Sequence, residues 1–443
     1  MSASRGRPIR LGLLGLGTVG LAAYDLLRRN QDEITRRSGH ALQVVAVARR
    51  DTQAARRCVD DSVQVLADGH ALVTHAEVDV VVELMGGIDP AKQWVLAAID
   101  AGKHVVTANK ALLALHGNEI FARARERGVV VAFEAAVAGG IPIIKTLREG
   151  LSANRIQWVA GIINGTTNFI LTQMRQKGLD FSSALAQAQA LGYAEADPTF
   201  DIEGVDAAHK IALVSAMAFG VRVQFDRVHV EGITQLQAAD MRYAEQLGYR
   251  IKLLGITKRV DNGVELRVHP TLLPQRSLLA SVEDAMNAVM VCGDAVGSTL
   301  YYGKGAGGDP TASAVVADVL DVARLMDADA VHHAPALAFQ PSAVDDGPVL
   351  PQDEVVTSYY LRLRVRDEAG VLAQLTAILA QRHISLDAVI QREAQGDEAT
   401  PHTDLIVLTH AAREGVMNQA IAAMQALDVV VQPVVRLRRE VFA

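Results

Sequence analysis

Short continuous apolar runs alternate with helix-spaced stretches through residues 1–140. Ile9–Leu14 and Leu42–Ala48 read as buried strands, as do 78–82, 104–106 and 129–133, while 19–29, 90–100 and 117–127 have the spacing of helices. Strands alternating with helices predict a doubly wound α/β domain over residues 1–140. The pattern then becomes mixed. Residues 141–309 combine helices with strand-like runs at 156–163 and 264–268, an α+β region. A glycine-rich loop at 303–313 opens a long helix over 314–326, and a helix over 310–335 is expected to return to the first domain. Three prolines among acids and small residues mark a linker over 340–355. Beyond it come strand 358–365, helix Val371–Gln381, strands Leu386–Gln391 and 404–409, helix 413–426 and strand 429–437. That β-α-β-β-α-β order predicts a ferredoxin-like unit over 356–443.

Composition narrows the class without changing this plan. Half of the 443 residues are apolar and a fifth are charged, so several globular domains are expected. A net charge of −7 gives no reason to expect nucleic acid or an anionic membrane as partner. No apolar run approaches the roughly 20 residues of a membrane span. The basic-then-apolar N-terminus passes straight into a glycine turn and reads as domain structure rather than a secretory signal. Asn164-Gly-Thr166 matches a glycosylation acceptor that a chain without such a signal would not use. A cytoplasmic location is expected. Cys58, placed in a surface helix, and Cys292 have no metal-ligand or disulfide spacing.

Two stretches carry candidate chemistry. GLGTVG at 15–20 follows a strand and opens a helix, the context of a dinucleotide site. Gly15 permits the tight turn, Gly17 lets the backbone approach a pyrophosphate and Gly20 lets helix and strand pack. Thr18 and Val19 lie at the helix start, whose N–H groups suit phosphate. Where a ribose-binding carboxylate would select NAD, this chain has Arg49-Arg50, which suits a 2′-phosphate and favours NADP(H) over NAD(H). Solvated charges at a strand end are the alternative. The second stretch, GYAEADPTFDIEGVDAAHK at 192–210, leads from an acidic loop into an apolar helix. Asp206 and Lys210 stand four apart there and share a face. Alone, the pair is more simply a surface ion pair beside a solvated loop.

With these motifs in place, the chain resembles homoserine dehydrogenase over essentially its whole length. The resemblance rests on GLGTVG at 15–20, TANKALL at 107–113, EAAVAGGIPII at 134–144, NGTTNFIL at 164–171, the 192–210 signature and GAGGDPTASAVVAD at 305–318. It implies NADP(H)-dependent interconversion of L-homoserine and L-aspartate 4-semialdehyde, on the route to threonine, methionine and isoleucine. By the same resemblance Lys210 is the proton donor, Lys110 the second lysine between nicotinamide and substrate, and Asp206 a catalytic and substrate-binding carboxylate. Glu195, Gly192, Asp201 and Thr166 join the substrate site, and Thr107, Lys110, Gly305 and Gly307 the cofactor site. Lys110 alone reads equally as a phosphate-contacting or surface lysine. Glu134 and the carbonyls of Val137, Gly139 and Ile141 resemble the family's monovalent-cation loop, which implies Na+; oxygen donors suit a hard cation. A plain hinge is the other reading of those glycines.

The C-terminal unit, with Arg366-Asp367-Glu-Ala-Gly370 at its first strand-helix junction, is similar to the ACT domain. That implies amino-acid binding at Asp367 and Gly370, with L-threonine as feedback effector; dimerisation alone is the alternative. If the unit is only regulatory, deleting 350–443 spares catalysis. A homodimer or homotetramer, joined through the middle domain's sheet, follows from the resemblance. Two other functions stand against it. Aspartate-semialdehyde dehydrogenase needs a nucleophilic cysteine in a matching context, and an inactive amino-acid sensor would not need both Lys110 and Lys210.

Overall fold

A computed structural model describes residues 7–326, 334–391 and 401–442. The chain is a mixed α/β protein with a Rossmann-like parallel-sheet region, a central α+β region and a ferredoxin-like C-terminal unit. By proximity it forms two compact units. One runs to Gly165 and includes Asp206–Val228 and Ala285–Gly347; the other contains Thr166–Val205, His229–Asp284 and the residues from Pro348 onward.

In the first unit six parallel strands lie in the order 64–66, Leu42–Ala48, Ile9–Leu14, Val80–Glu83, His104–Thr107 and Val131–Ala132. The first strand ends with Leu14 opposite both Ala48 and Glu83, so three strand ends meet at the turn that begins at Gly15. A parallel sheet covered on both faces needs near-continuous apolar strands. Leu11, Leu13, Val47, Val80, Val82 and Val106 accordingly form one buried cluster. Ala312, Val315, Val319 and Val322 of helix Gly308–Leu325 complete that cluster. This helix ends at Leu325, short of the expected 335; residues 327–333 lie outside the described residues, and 334–335 are not helical. The same unit contains an antiparallel meander of Ile156–Ile162, Met286–Gly293 and Gly297–Lys304.

In the second unit Tyr249–Val260 and Gly263–Pro274 form a twelve-residue antiparallel hairpin. The ferredoxin-like strands Val356–Arg366, Leu386–Gln391, His402–Thr409 and Val435–Arg439 pair in the order fourth, first, third, second. Helices Val371–Gln381 and Glu414–Gln425 cover them around Tyr359, Leu361, Leu375, Val407 and Met417. The fourth strand also pairs with the hairpin, Thr271 opposite Arg438 and Leu272 opposite Arg439. The C-terminal sheet is therefore continuous with the hairpin.

Several boundaries depart from the sequence reading. The helix expected at 117–127 starts at Lys110, because the Asn109 side chain accepts from Leu112 N (3.1 Å) and caps it seven residues earlier. The loop expected over 303–313 is shorter. Gly303 and Lys304 belong to strand Gly297–Lys304, and the helix begins at Gly308, since Pro310 fits a first helical turn. The strand at 264–268 extends to twelve residues by pairing along a full hairpin edge. The last strand, expected over 429–437, runs only Val435–Arg439. Val429 and Val431 still bond to Arg366 and Arg364, but Pro433 has no N–H to continue the ladder. Cys58 lies in a turn after helix Thr52–Arg56. The proline-rich 340–355 segment is tied by hydrogen bonds of Asp345 to Gly220 and Arg222 in the first unit. In the second unit, Pro348 and Leu350 bond to Val264.

Candidate active site

The glycine turn is built as its spacing requires. Gly15 has φ +96°, and a Cβ there would stand 2.8 Å from the Leu84 carbonyl oxygen. A Cβ on Gly20 would lie 2.3 Å from the Gly15 carbonyl oxygen, so strand and helix can cross only with glycine at that point. Gly17, by contrast, faces open space and caps helix Thr18–Arg29. A Cβ on Gly308, at the start of the later helix, would lie 3.4 Å from Thr18 and Ala22, so the two helix starts pack closely. Gly307 precedes Gly308 at φ +111°. Two helix N-termini thus adjoin at the turn, each with unpaired N–H groups suited to an anion. Gly305 is fixed by packing, since a Cβ there would overlap the Asn287 amide. Arg49 donates to the Leu16 carbonyl at 3.0 Å, which sets its guanidinium beside the turn, whereas Arg50 is exposed.

Lys110 and Lys210 converge on one carboxylate. Asp206 Oδ2 accepts from Lys210 Nζ at 2.6 Å and from Asn164 Nδ2 at 2.9 Å, and Asp206 Oδ1 pairs with Lys110 Nζ at 3.1 Å. Lys210 Nζ also donates to the Ile163 carbonyl at 2.7 Å. Helix Val205–Phe219, buried almost throughout, supplies Asp206 and Lys210 one turn apart; Asn109 capping fixes Lys110 at the start of its own helix. Burial alone would raise the Asp206 carboxyl, but the two ammonium groups and the hydrogen bonds hold it far below the usual range. Lys110 remains 35% exposed, against 5% for Asp206, so the cluster opens toward solvent on the Lys110 side. His209, packed at a tilt against the Phe225 ring, is kept neutral mainly by burial, with its pKa down at about 4.

Sequence reasoning missed Glu83. It ends the strand beside the glycine turn, fully buried, and accepts from Thr107 Oγ1 (2.6 Å) and Met85 N (3.0 Å). Thr107 Oγ1 in turn accepts from Asn109 N, and Asn109 Nδ2 donates to the Gly87 carbonyl. Burial pushes the Glu83 carboxyl up, against these donors. The network joins the ends of two strands to the cap that sets Lys110. An acid terminating an apolar VVVE run was the available signal.

Glu134 is buried and spans two oxygens across backbone N–H groups, Ile144 at 2.8 Å and Lys145 at 2.9 Å. Its own N–H donates to Asp318 Oδ2 at 2.7 Å. Burial raises both carboxyls, Asp318 to about 7, with Glu134 as its second cause. Val137 and Ile141 flank Ala138 and Gly139, which turn the loop with φ of 55° and 53°. Cys292 is buried with Sγ 3.5 Å from Gln157, and Cys58 is exposed.

The second unit contains the other predicted residues. Thr166 Oγ1 bonds the Tyr193 carbonyl (2.7 Å) and Asp201 Oδ2 (3.0 Å), which ties the 192–204 loop to helix Gly165–Lys177. Gly192 turns the loop at φ +75°, and Gln189 Nε2 donates to the Glu195 carbonyl at 3.1 Å. In the C-terminal unit a cavity of about 350 Å³ is lined by Arg366, Asp367, Glu368, Gly370, Gln391 and Leu405. Gly370, at φ +91°, caps helix Val371–Gln381 there. Among the described residues no helix is long and apolar enough to cross a membrane.

Known proteins match this arrangement along the whole chain. Family models described as homoserine dehydrogenase NAD-binding domain, homoserine dehydrogenase and ACT domain match residues 15–134, 142–320 and 359–428. Homoserine dehydrogenases of Pseudomonas aeruginosa and Neisseria gonorrhoeae are each 55% identical over 98% of this chain and 99% of their own. The crystal structure of a homoserine dehydrogenase from Thiobacillus denitrificans superposes with a TM-score of 0.94 at 57% identity, covering 99% of this chain and 100% of that one. A hyperthermophilic archaeal homoserine dehydrogenase in complex with NADPH matches at a TM-score of 0.62 and 25% identity, over 72% of this chain and 98% of its own. A glycine turn, a lysine pair on one carboxylate and an ACT unit, matched end to end by such relatives, place the chain in the homoserine dehydrogenase family, as an NAD(P)-dependent oxidoreductase.

Proposed function

We propose that the chain interconverts L-homoserine and L-aspartate 4-semialdehyde with NADP(H), in threonine, methionine and isoleucine biosynthesis in the cytoplasm. The observation that carries this reading is the sharing of Asp206 by Lys110 and Lys210. Hydride transfer to a carbonyl builds negative charge on oxygen, and a fixed ammonium stabilises and protonates that oxygen. Lys210 donates the proton to the C4 oxygen and accepts it in the reverse direction. Asp206 fixes both ammonium groups, and Lys110 supplies positive charge from the more open side. Glu195 takes the substrate's α-ammonium and Asp206 contributes to substrate binding, with Gly192 nearby and Thr166 and Asp201 supporting the site.

The residues present suit a dinucleotide, because Gly17 leaves open space where the backbone must meet a pyrophosphate. Bound there, the nicotinamide supplies the hydride. Gly15, Gly20, Thr18, Val19, Thr107, Gly305 and Gly307 form the cradle, and Arg49 with Arg50 selects the 2′-phosphate. The buried Glu134 carboxylate and the left-handed loop after it suit Na+, held with the carbonyls of Val137, Gly139 and Ile141. The cavity at Asp367 and Gly370 suits an amino acid, and L-threonine is the proposed feedback effector. Tyr302, exposed on the edge strand Gly297–Lys304, supports assembly into a homodimer or homotetramer through that sheet. Following NADPH oxidation with aspartate semialdehyde, then NADP+ reduction with homoserine, tests the reaction; absence of both activities would refute it.

A further inference from the structure

We infer that Arg438, in the last strand of the C-terminal unit, is a positioning residue for the substrate loop at 192–204. The inference rests on the reading of that loop as part of the substrate site. Arg438 is fully buried and bonds two carboxylates at once. Its Nη1 and Nη2 reach Glu231 Oε2 and Oε1 at 2.8 and 2.7 Å, and its Nε reaches Glu414 Oε2 at 2.9 Å. Arg436 adds a contact to Glu231 at 3.0 Å, and His229 Nε2 lies 2.9 Å from the same oxygen. Glu231 and Glu414 are thus tied to the strand that carries both arginines.

Glu231 leads directly to the loop. Its N–H donates to the Val268 carbonyl at 2.8 Å, which registers it on the long hairpin. The next residue, Gly232, lies so close to the loop that a Cβ would come within 2.4 Å of the Ile202 carbonyl oxygen and 2.6 Å of Glu203 Cα. Ile233 N then donates to the Ile202 carbonyl at 2.8 Å. Gly204, at φ +83°, packs on Val230 and Val268 from the other side. Ile202 directly follows Asp201, whose carboxylate accepts from Thr166 Oγ1, and that same hydroxyl reaches the Tyr193 carbonyl. From Arg438 to Ile202 the links are charge-assisted pairs, backbone bonds and a contact only glycine permits. The last strand thus helps set the 201–204 end of the loop, while Thr166 holds it to helix Gly165–Lys177. Deleting 350–443 would therefore not spare catalysis, contrary to the sequence expectation. It would leave Glu231 without Arg438 and Arg267 without Glu440, which lies 2.7 Å away.

The test uses the full-length chain carrying Arg438→Met, with Glu231→Gln as a gentler variant that keeps an acceptor for Arg438, and Arg438→Lys as the conservative rescue. Three quantities are read below the melting temperature of each variant: KM for L-homoserine, KM for NADP+, and amide exchange over 193–204 against helix Val371–Gln381. Arg438→Met is expected to raise the homoserine KM about tenfold, one of the two decades that an ångström of misplacement can cost. NADP+ KM stays within about twofold on the same argument, exchange over 193–204 quickens, and Glu231→Gln moves both readouts less in the same direction. Arg438→Lys recovers part of the loss. Native exchange and native homoserine KM in both Arg438→Met and Glu231→Gln, whatever their melting temperatures, would overturn the inference. Faster exchange with native KM would uphold the positioning and count against the loop as a substrate site, a reading that Glu195→Gln checks separately.

Discussion

The Lys110–Asp206–Lys210 group and the Arg438–Glu231–Glu414 group are both built from carboxylates and cations in poorly solvated surroundings, yet they differ in completeness. Around Arg438 each guanidinium nitrogen reaches an oxygen, and the arginine is fully buried. Around Asp206 one carboxylate divides its two oxygens between two lysines, one of them a third exposed. An arginine cluster in which every guanidinium nitrogen has a carboxylate oxygen holds elements in register. A cluster with two ammonium groups on one carboxylate gathers positive charge at one point that opens toward solvent, the arrangement the proposed proton transfer calls for. Arginine suits the first role because its planar fork matches two carboxylates and keeps its charge; lysine suits the second because its compact ammonium can give up a proton.

The largest effect that would break this contrast is chemical. Lys210→Met should lower kcat by about 10²–10⁴ while NADPH binding, followed by fluorescence, stays near native. A variant with near-normal turnover would reduce the open cluster to a structural pair. Stability gives the converse test. Removing one partner of a buried pair costs about 3–5 kcal/mol, so Arg438→Met should lose stability of that order in urea unfolding. Lys110→Met, at the exposed end of its cluster, should lose about 1 kcal/mol or less but a large part of kcat/KM.

Acid sharpens the contrast further. Burial alone would raise the Glu231 carboxyl, but Arg438 and His229 hold it well below the usual range. Its folded pKa is therefore depressed, and the stability it contributes is present above the unfolded value of about 4.3 and lost as pH falls below it. The stability gap between native chain and Arg438→Met should accordingly be constant near neutrality and narrow below about pH 4, in unfolding curves at a series of pH values. A gap that widened on acidification would contradict the assignment. The smallest expected effect lies at the cofactor: Arg49→Asp should shift the NADPH-over-NADH ratio of kcat/KM toward NADH by about tenfold, the loss of one charge-assisted contact. An unchanged ratio would leave Arg49 as the partner of the Leu16 carbonyl and nothing more.

Much of this was legible before any coordinates. The glycine turn declared itself because strand, turn and helix each impose a local rule, and Gly15 and Gly20 fit no other residue. The ferredoxin-like helix Val371–Gln381 was placed to the residue, since its periodicity is local too. Boundaries set by partners were not. The twelve-residue strand at Gly263–Pro274 reads in sequence as five residues because its ends gain strand structure only by pairing with Tyr249–Val260. Glu83, unremarkable at the end of an apolar run, became part of a buried network only when Thr107 and Asn109 folded next to it.

The sequence by itself determined the nucleotide fold, the family and the pairing of Asp206 with Lys210, because each depends on residues a turn or a motif apart. Only the tertiary structure decided that Lys110, ninety-six positions from Asp206, would take its second oxygen. It also made the C-terminal unit an extension of the hairpin sheet, with buried charges across the seam. Pairing between distant segments is selected by which buried charges and edge strands can satisfy one another, and no local pattern records that choice.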